Sequence, residues 1–487
     1  MSLLRGCFAL LPLGAACGFD VVDFEPRAAA ANVEIVVVGT VPQAAIDRLR
    51  AGGTIKHDAK QLAFSYPDDG VVLPANVAPL TWRWSTAGPA KKADPAGPAD
   101  PAGAAVYELS LRKQTRELRI YTSELSAVAP SERWSLLLND ATAGPLTVQL
   151  RALSGGPKTE LLETDPQTLP ITDAISAGSL YFETAGGIAR VRVSDEPAAL
   201  TYPLKSDSAC SAGHAISHDG TRLGIACTDA PGAVWSLPDL SLLQAISADA
   251  GVDGFGAFDP SSSHYVRVRA GQLEIVDVVS GSLQTLAPLA GAAGARMAEP
   301  DWSPDGQAIA FTYWPAPPAM ATKPPDASAG STIARVVRTG DSWSEPQILV
   351  DAASPMSTLR APRYAPDGTF IALSAGGGDK MMPSALCLIQ AQGGPLTQLS
   401  GMAMKPDMNK GGTLPTWLPS TRAGQAWLVY TSTRDDGSMP STTAERLWLS
   451  AVDLTSVPMA TAISPAFVLP AQGTASEPRR ALFAREP

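Results

Sequence analysis

Cys210 and His214 stand in the segment Cys-Ser-Ala-Gly-His. Covalent attachment of c-type haem uses Cys-x-x-Cys-His: two thioethers hold the porphyrin and the histidine ligates iron. Here Gly213 replaces the second cysteine, so one thioether could form and the pattern reads as a degenerate haem motif. Cys210 and Cys227 also flank a turn at 217–220 almost symmetrically. In a regular hairpin they come within a residue of register, making them a candidate disulfide pair; a bulge at Gly220 would shift that register by one.

A second chemical candidate is the serine and aspartate of Ser303-Pro304-Asp305-Gly306. The motif recurs, with variation, around Asp219-Gly220 and Asp367-Gly368, which a single catalytic carboxylate would not do. Proline pre-sets φ at the second position of a turn, aspartate bonds the nearby backbone, and glycine accepts φ > 0. Asp219, Gly220, Asp305, Gly306, Asp367 and Gly368 therefore read as structural turn residues. His57, His214, His218 and His264 show no H-x-x-H or HExxH spacing, so no metal site is expected. Neither G-x-S-x-G nor GxxxxGK[ST] occurs. No catalytic residue and no cofactor are assigned.

The turns imply the elements that carry them. "GHAISHDGTRLGIACTD" (213–229), "EPDWSPDGQAIAFTYW" (299–314) and "APRYAPDGTFIALSAGG" (361–377) each run an apolar strand into the turn and another out of it. Looser copies lie at 254–281 and 414–433. The turns begin about 42, 44, 62 and 53 residues apart, against roughly 40–50 for a four-stranded blade. A Pro/Ala-rich loop at 314–331 accounts for the longest interval.

This repeat resembles the WD40-like PD40 repeat of TolB-type β-propellers. The resemblance covers 176–487. It implies an all-β propeller of six blades, with five to seven left open, whose last half-repeat "EPRRALFA" (477–484) closes a blade with "AGSLYFETAGGIARVRV" (177–193). Upstream, residues 61–155 hold several short strand patterns, among them "VYELSLR" and "WSLLLN", and predict an immunoglobulin- or fibronectin-like sandwich. A low-complexity insert at 85–105 interrupts it. Residues 17–60 read as a tether with one strand-like run, "VEIVVVG" (33–39).

The N-terminus, "MSLLRGCFALLPLGAAC", has Arg5, an apolar run from Phe8 to Ala16, and small residues before Cys17. It resembles a bacterial lipoprotein signal over residues 1–16, with Cys17 as the lipidated residue, although Gly14 stands where that signal usually has leucine. Gly18 after the cysteine implies the outer membrane by the same resemblance.

The chain has 487 residues and a net charge of −10, with no basic stripe, so no nucleic-acid partner is expected. Together these readings predict an exported, non-catalytic envelope lipoprotein, membrane-bound through its N-terminal lipid only. Its propeller would bind an envelope protein. Two alternatives stand beside it: a propeller hydrolase or lyase acting on saccharide or peptide, and a relic c-type haem protein.

Overall fold

The computed structural model describes residues 21–22, 32–57, 61–86, 105–139, 144–153, 160–195, 201–205, 214–225, 233–237, 239–245, 256–286, 295–314, 330–350, 356, 358–376, 385–399, 413–434, 445–455, 463–472 and 479–485. Cys17, Cys210 and Cys227 lie outside these, as do the signal-like residues 1–16 and most of the two low-complexity segments.

Among the described residues from Gly178 onward, the strands form six antiparallel sheets. Five have four strands; the fourth divides its outer edge between Ser342–Trp343 and Gln347–Ile348. Inner strands are Arg479–Arg485 in blade one, His214–Ile216 in two, Ala257–Phe258 in three, Arg296–Trp302 in four, Thr358–Tyr364 in five and Thr413–Pro419 in six. These six strands touch one another in a closed ring, which makes the domain a six-bladed β-propeller. The ring closes through the C-terminus: Arg479–Arg485 pairs antiparallel with Gly178–Thr184 as the inner strand of blade one.

Each turn motif closes a hairpin between a blade's two inner strands. In blade four Ser303 N–H donates to Ala308 O at 2.8 Å and Gly306 N–H to Ser303 O at 2.9 Å. Ser303 Oγ–H donates to Asp305 Oδ1 at 2.5 Å, and the same oxygen accepts Gln307 N–H at 2.9 Å. Asp219 accepts likewise from Ser217 and Thr221, and Asp367 from Thr369, with Ala365 standing in place of the serine. Gly220, Gly306 and Gly368 have φ of 69°, 69° and 74°, a region closed to most side chains. Blade three exchanges the residue types: Asp259 opens the turn, and Ser262 takes the left-handed place with φ 61°.

The N-terminal part differs from its expectation in two respects. The stretch read as a tether with one strand-like run does form that strand, Asn32–Val38, but also carries helix α1 (Gln43–Ala51) and the strand Ile55–His57. Both strands join one large sheet in parallel, Asn32–Val38 beside Arg116–Thr122 and Ile55–His57 beside Leu161–Glu163. Pairing over such sequence distances leaves no local signal. The run "WSLLLN", read as a strand, belongs to helix α2 (Ser131–Leu138). Trp134, Leu137 and Leu138 recur at i, i+3 and i+4 and are buried, and Pro130 precedes the first turn. The large sheet runs, in spatial order, Val21–Val22, Ile55–His57, Leu161–Glu163, Leu146–Leu153, Val106–Lys113, Arg116–Thr122, Asn32–Val38. A three-stranded sheet of Ala63–Tyr66, Thr81–Ser85 and Ser126–Val128 accompanies it.

One apolar cluster holds this part to the propeller. It runs from Trp82, Leu109 and Trp134 through Tyr66 to Trp427 and Trp448 of blade six. Fully burying a side chain of this class contributes roughly 1.5–3 kcal/mol. Tyr66 meets Trp448 edge-on, its hydroxyl oxygen accepts Val468 N–H at 2.8 Å, and Arg434 lies over Trp448 while reaching Asp68.

Candidate functional site at the mouth of the central channel

The inner strands of blades four, five, six and one share a backbone irregularity. Glu299, Ala361, Leu414 and Arg480 hold the same place in each and take φ of 53°, 52°, 52° and 40°. Strand register shifts there in every case, so each is a β-bulge that re-aims the residues after it. The preceding blade supplies acceptors for the bulged backbone in two of them. Ala361 N–H donates to Glu299 Oε2 at 2.8 Å, and Leu414 N–H donates to Ser374 Oγ at 2.8 Å.

Past the bulges, the strands end around a cavity of about 430 Å³ to which every blade contributes at least three side chains. One ring is apolar: Ile216, Phe258, Trp302, Tyr364, Trp417 and Phe483. Another varies in chemistry: Ala215, Ala257, Asp301, Arg363, Thr416 and Leu482. The rim lies two residues past the apolar ring, in the turns of blades two to five and at the strand ends of blades six and one: His218, Pro260, Pro304, Pro366, Pro419 and Arg485. Trp302 and Trp417 lock adjacent blades as well as lining the cavity, since their indole N–H groups donate to Ala257 O (3.3 Å) and Arg363 O (3.0 Å).

Charge in the mouth is asymmetric. Asp301 and Arg363 sit on neighbouring blades, with Arg363 Nη1 3.4 Å from Asp301 Oδ1. Asp301 Oδ2 also accepts Tyr364 N–H at 2.8 Å. Burial pushes the Asp301 carboxyl above the ordinary aspartate value, and Arg363 opposes this only in part. Desolvation by the surrounding mouth holds the His218 imidazole below its usual value, against the pull of Asp301 and Asp259, although the side chain stays open to solvent. Below the mouth, burial raises the Glu299 carboxyl, but Arg360, Thr312 and the Ala361 N–H outweigh it and leave it lowered. Arg480 is buried, and desolvation with the nearby Arg363 charge brings it down to about 9, still protonated at neutral pH.

Of the residues singled out in the sequence, Asp219 lines the mouth, whereas Asp305 and Asp367 sit in separate turns around it. His214 is fully buried between blades one and two, with Nδ1 2.9 Å from Glu183 Oε1, and does not line the cavity. A ring enclosed there has no face open to a porphyrin, so the described half of the haem-like motif does not fit that group. The mouth residues Asp301, Arg363 and Trp417 were not read as a site from sequence. Their signal was the proline two places before each aromatic, in "EPDW", "APRY" and "LPTW".

No protein-family model matches the chain, and no curated protein matches it by sequence. Among solved structures it is similar to TolB from Acinetobacter baumannii, at 12% identity over 71% of this chain and 81% of that one, with a TM-score of 0.44. It is similar to a putative TolB from Agrobacterium tumefaciens at 13% identity, covering 60% and 88%, with a TM-score of 0.38. An oligogalacturonate lyase in complex with manganese gives 13% identity, 57% and 84% coverage, and a TM-score of 0.34. The propeller itself is established by the six sheets and their closed ring.

Proposed function

We propose that the chain is a non-catalytic binding protein of the bacterial cell envelope that takes a protein segment at the mouth of its propeller channel. The observation that carries this reading is the mouth's construction: six blades each place at least three side chains around one cavity, and the middle ring differs in chemistry from blade to blade. A rigid ring with such variation suits selective recognition. The rim prolines offer contact area above a largely buried apolar ring, while Asp301–Arg363 on one side and His218 with Arg485 on the other set orientation. The signal-like N-terminus supports export, with Cys17 as the proposed lipid anchor. The N-terminal sheets would act as a spacer or second contact surface.

The test is affinity capture from crosslinked cells with the wild-type chain and with Pro366→Asp and Arg485→Glu. The proposal expects one dominant envelope protein, lost from both variants while the fold is retained. Capture unchanged in both would overturn it.

One observation favours a catalytic reading: a carboxyl raised above its ordinary value and an imidazole lowered below its own face the same mouth. That reading makes Asp301 the acid and His218 the base of a saccharide or peptide hydrolase or lyase. It requires turnover that both Asp301→Asn and His218→Gln abolish, and a screen of polysaccharides and peptides without turnover removes it.

A further inference from the structure

Edges of β-sheets expose unpaired backbone groups, and proteins usually protect them with short strands, charges, proline or bulges. The blades follow that practice. Outer strands Leu242–Ala245, Leu283–Thr285, Thr397–Gln398 and Phe467–Val468 have two to four residues, and Thr201–Lys205 contains Pro203 and Lys205. The N-terminal edge strand Asn32–Val38 does not. Its seven residues, NVEIVVV, hold one charge and no proline, and pair with Arg116–Thr122 in unbroken parallel register. Among the described residues nothing pairs with its other side.

Its side chains divide cleanly. Glu34 and Val36 turn toward α2 and the main core, where Glu34 Oε2 meets Arg133 Nη1 at 2.9 Å and Val36 packs against buried residues. Val33, Ile35 and Val37 form a β-branched row on the opposite face, exposed by 39%, 44% and 47%. This row reads the same from both ends, with Ile35 at its centre. In an antiparallel pairing of two such strands about a two-fold axis through Ile35, Val33 lies opposite Val37 and Ile35 opposite itself. The same register sets Glu34 opposite Val36, so no carboxylate faces another, and each Glu34 already has an intramolecular arginine. A self-complementary strand is what an isologous interface requires.

We propose that Asn32–Val38 is a homodimerisation edge, joining two copies of the chain through a continuous sheet centred on Ile35. The partner is a second copy, and the contact is independent of the channel mouth.

The test is directed disulfide formation in intact cells expressing the full chain. Opposed Cα atoms in an antiparallel pair lie about 4.5–5.5 Å apart, within disulfide reach. Ile35→Cys is expected to give a reducible adduct of twice the chain mass, absent from the wild type. Asn32→Cys alone is expected to give none, but to link to a differently tagged Val38→Cys copy. In sedimentation of the detergent-solubilised full chain, Ile35→Lys, which sets like charges opposite each other, is expected to weaken dimerisation by at least roughly tenfold. Circular dichroism checks that the variant keeps its fold. No adduct from Ile35→Cys, an adduct to a different protein, or a dimer indifferent to Ile35→Lys would each overturn the proposal.

Discussion

The Asp301 carboxylate in blade four accepts the backbone N–H of Tyr364 in blade five at 2.8 Å, so a residue of the mouth also holds two blades together. Its carboxyl is raised above the ordinary value by burial. The folded state therefore binds its proton more tightly than the unfolded chain does. The resulting stabilisation is complete below the ordinary aspartate pKa and is lost as pH rises through the raised one. Asp301→Asn, nearly isosteric with the protonated acid, is expected to match the wild type near pH 3.5 and to gain on it toward pH 7. Thermal unfolding of both chains across that range reads the difference.

Asp305 has the opposite sign. Ser303 Oγ–H and Gln307 N–H hold its carboxyl below the ordinary value. Its contribution is present above that value and is lost as pH falls through the lowered one. Asp305→Asn is expected to cost stability at pH 7 and little at low pH, and to leave partner capture unchanged because the Asp305 side chain does not line the mouth.

Ser262 and Gly306 hold the same turn position, with φ of 61° and 69°. A left-handed conformation costs a non-glycine residue about 1–2 kcal/mol. Ser262→Gly is expected to stabilise the chain by about 1 kcal/mol. Gly306→Ala is expected to destabilise it by a similar amount, because of its φ: a Cβ there would meet Pro260 Cδ only at 3.6 Å. Paired denaturant titrations check both signs.

Ring closure has its own probe at Gly178. A Cβ there would lie 2.3 Å from Ala484 O and 2.4 Å from Phe483 Cζ of the closing strand. Gly178→Ala is expected to cost about 1–3 kcal/mol, in the range for overpacking a close-packed site. Limited proteolysis should then release the C-terminal strand faster than in the wild type.

Trp417 tests the blade-to-blade lock. Replacing it with Phe keeps the aromatic ring but leaves the Arg363 carbonyl without its indole donor. The expected cost is about 1–2 kcal/mol, read as a lowered unfolding midpoint.

The propeller was legible in the sequence because its turns are local chemistry. Ser-Pro-Asp-Gly fixes a hairpin wherever it occurs, and the recurrence around Asp219, Asp305 and Asp367 marks the blades. The closing strand was legible because "EPRRALFA" repeats the start of a blade. The mouth was harder to read. Asp301, Arg363 and Thr416 face the cavity through bulges whose left-handed residues, Glu299, Ala361 and Leu414, are not types that favour that conformation. The run "VEIVVVG" was legible as strand-like, but the place of Asn32–Val38 in the large sheet was hidden for another reason. Its partner, Arg116–Thr122, is far along the chain, and parallel pairing between distant segments leaves no turn to announce it. Helix α2 reads as a strand in the sequence because the short run from Trp134 to Leu138 is too brief to separate the two periods.

The central claim is that the channel mouth is the recognition surface. A photoreactive phenylalanine analogue in place of His218, which is exposed in the mouth, tests it most directly against the same analogue in place of Val279, which is 82% exposed outside the mouth on blade three. Irradiation of intact cells is expected to link one envelope protein to position 218 and none to position 279. No protein linked at 218, or the same proteins linked at both positions, would contradict the account.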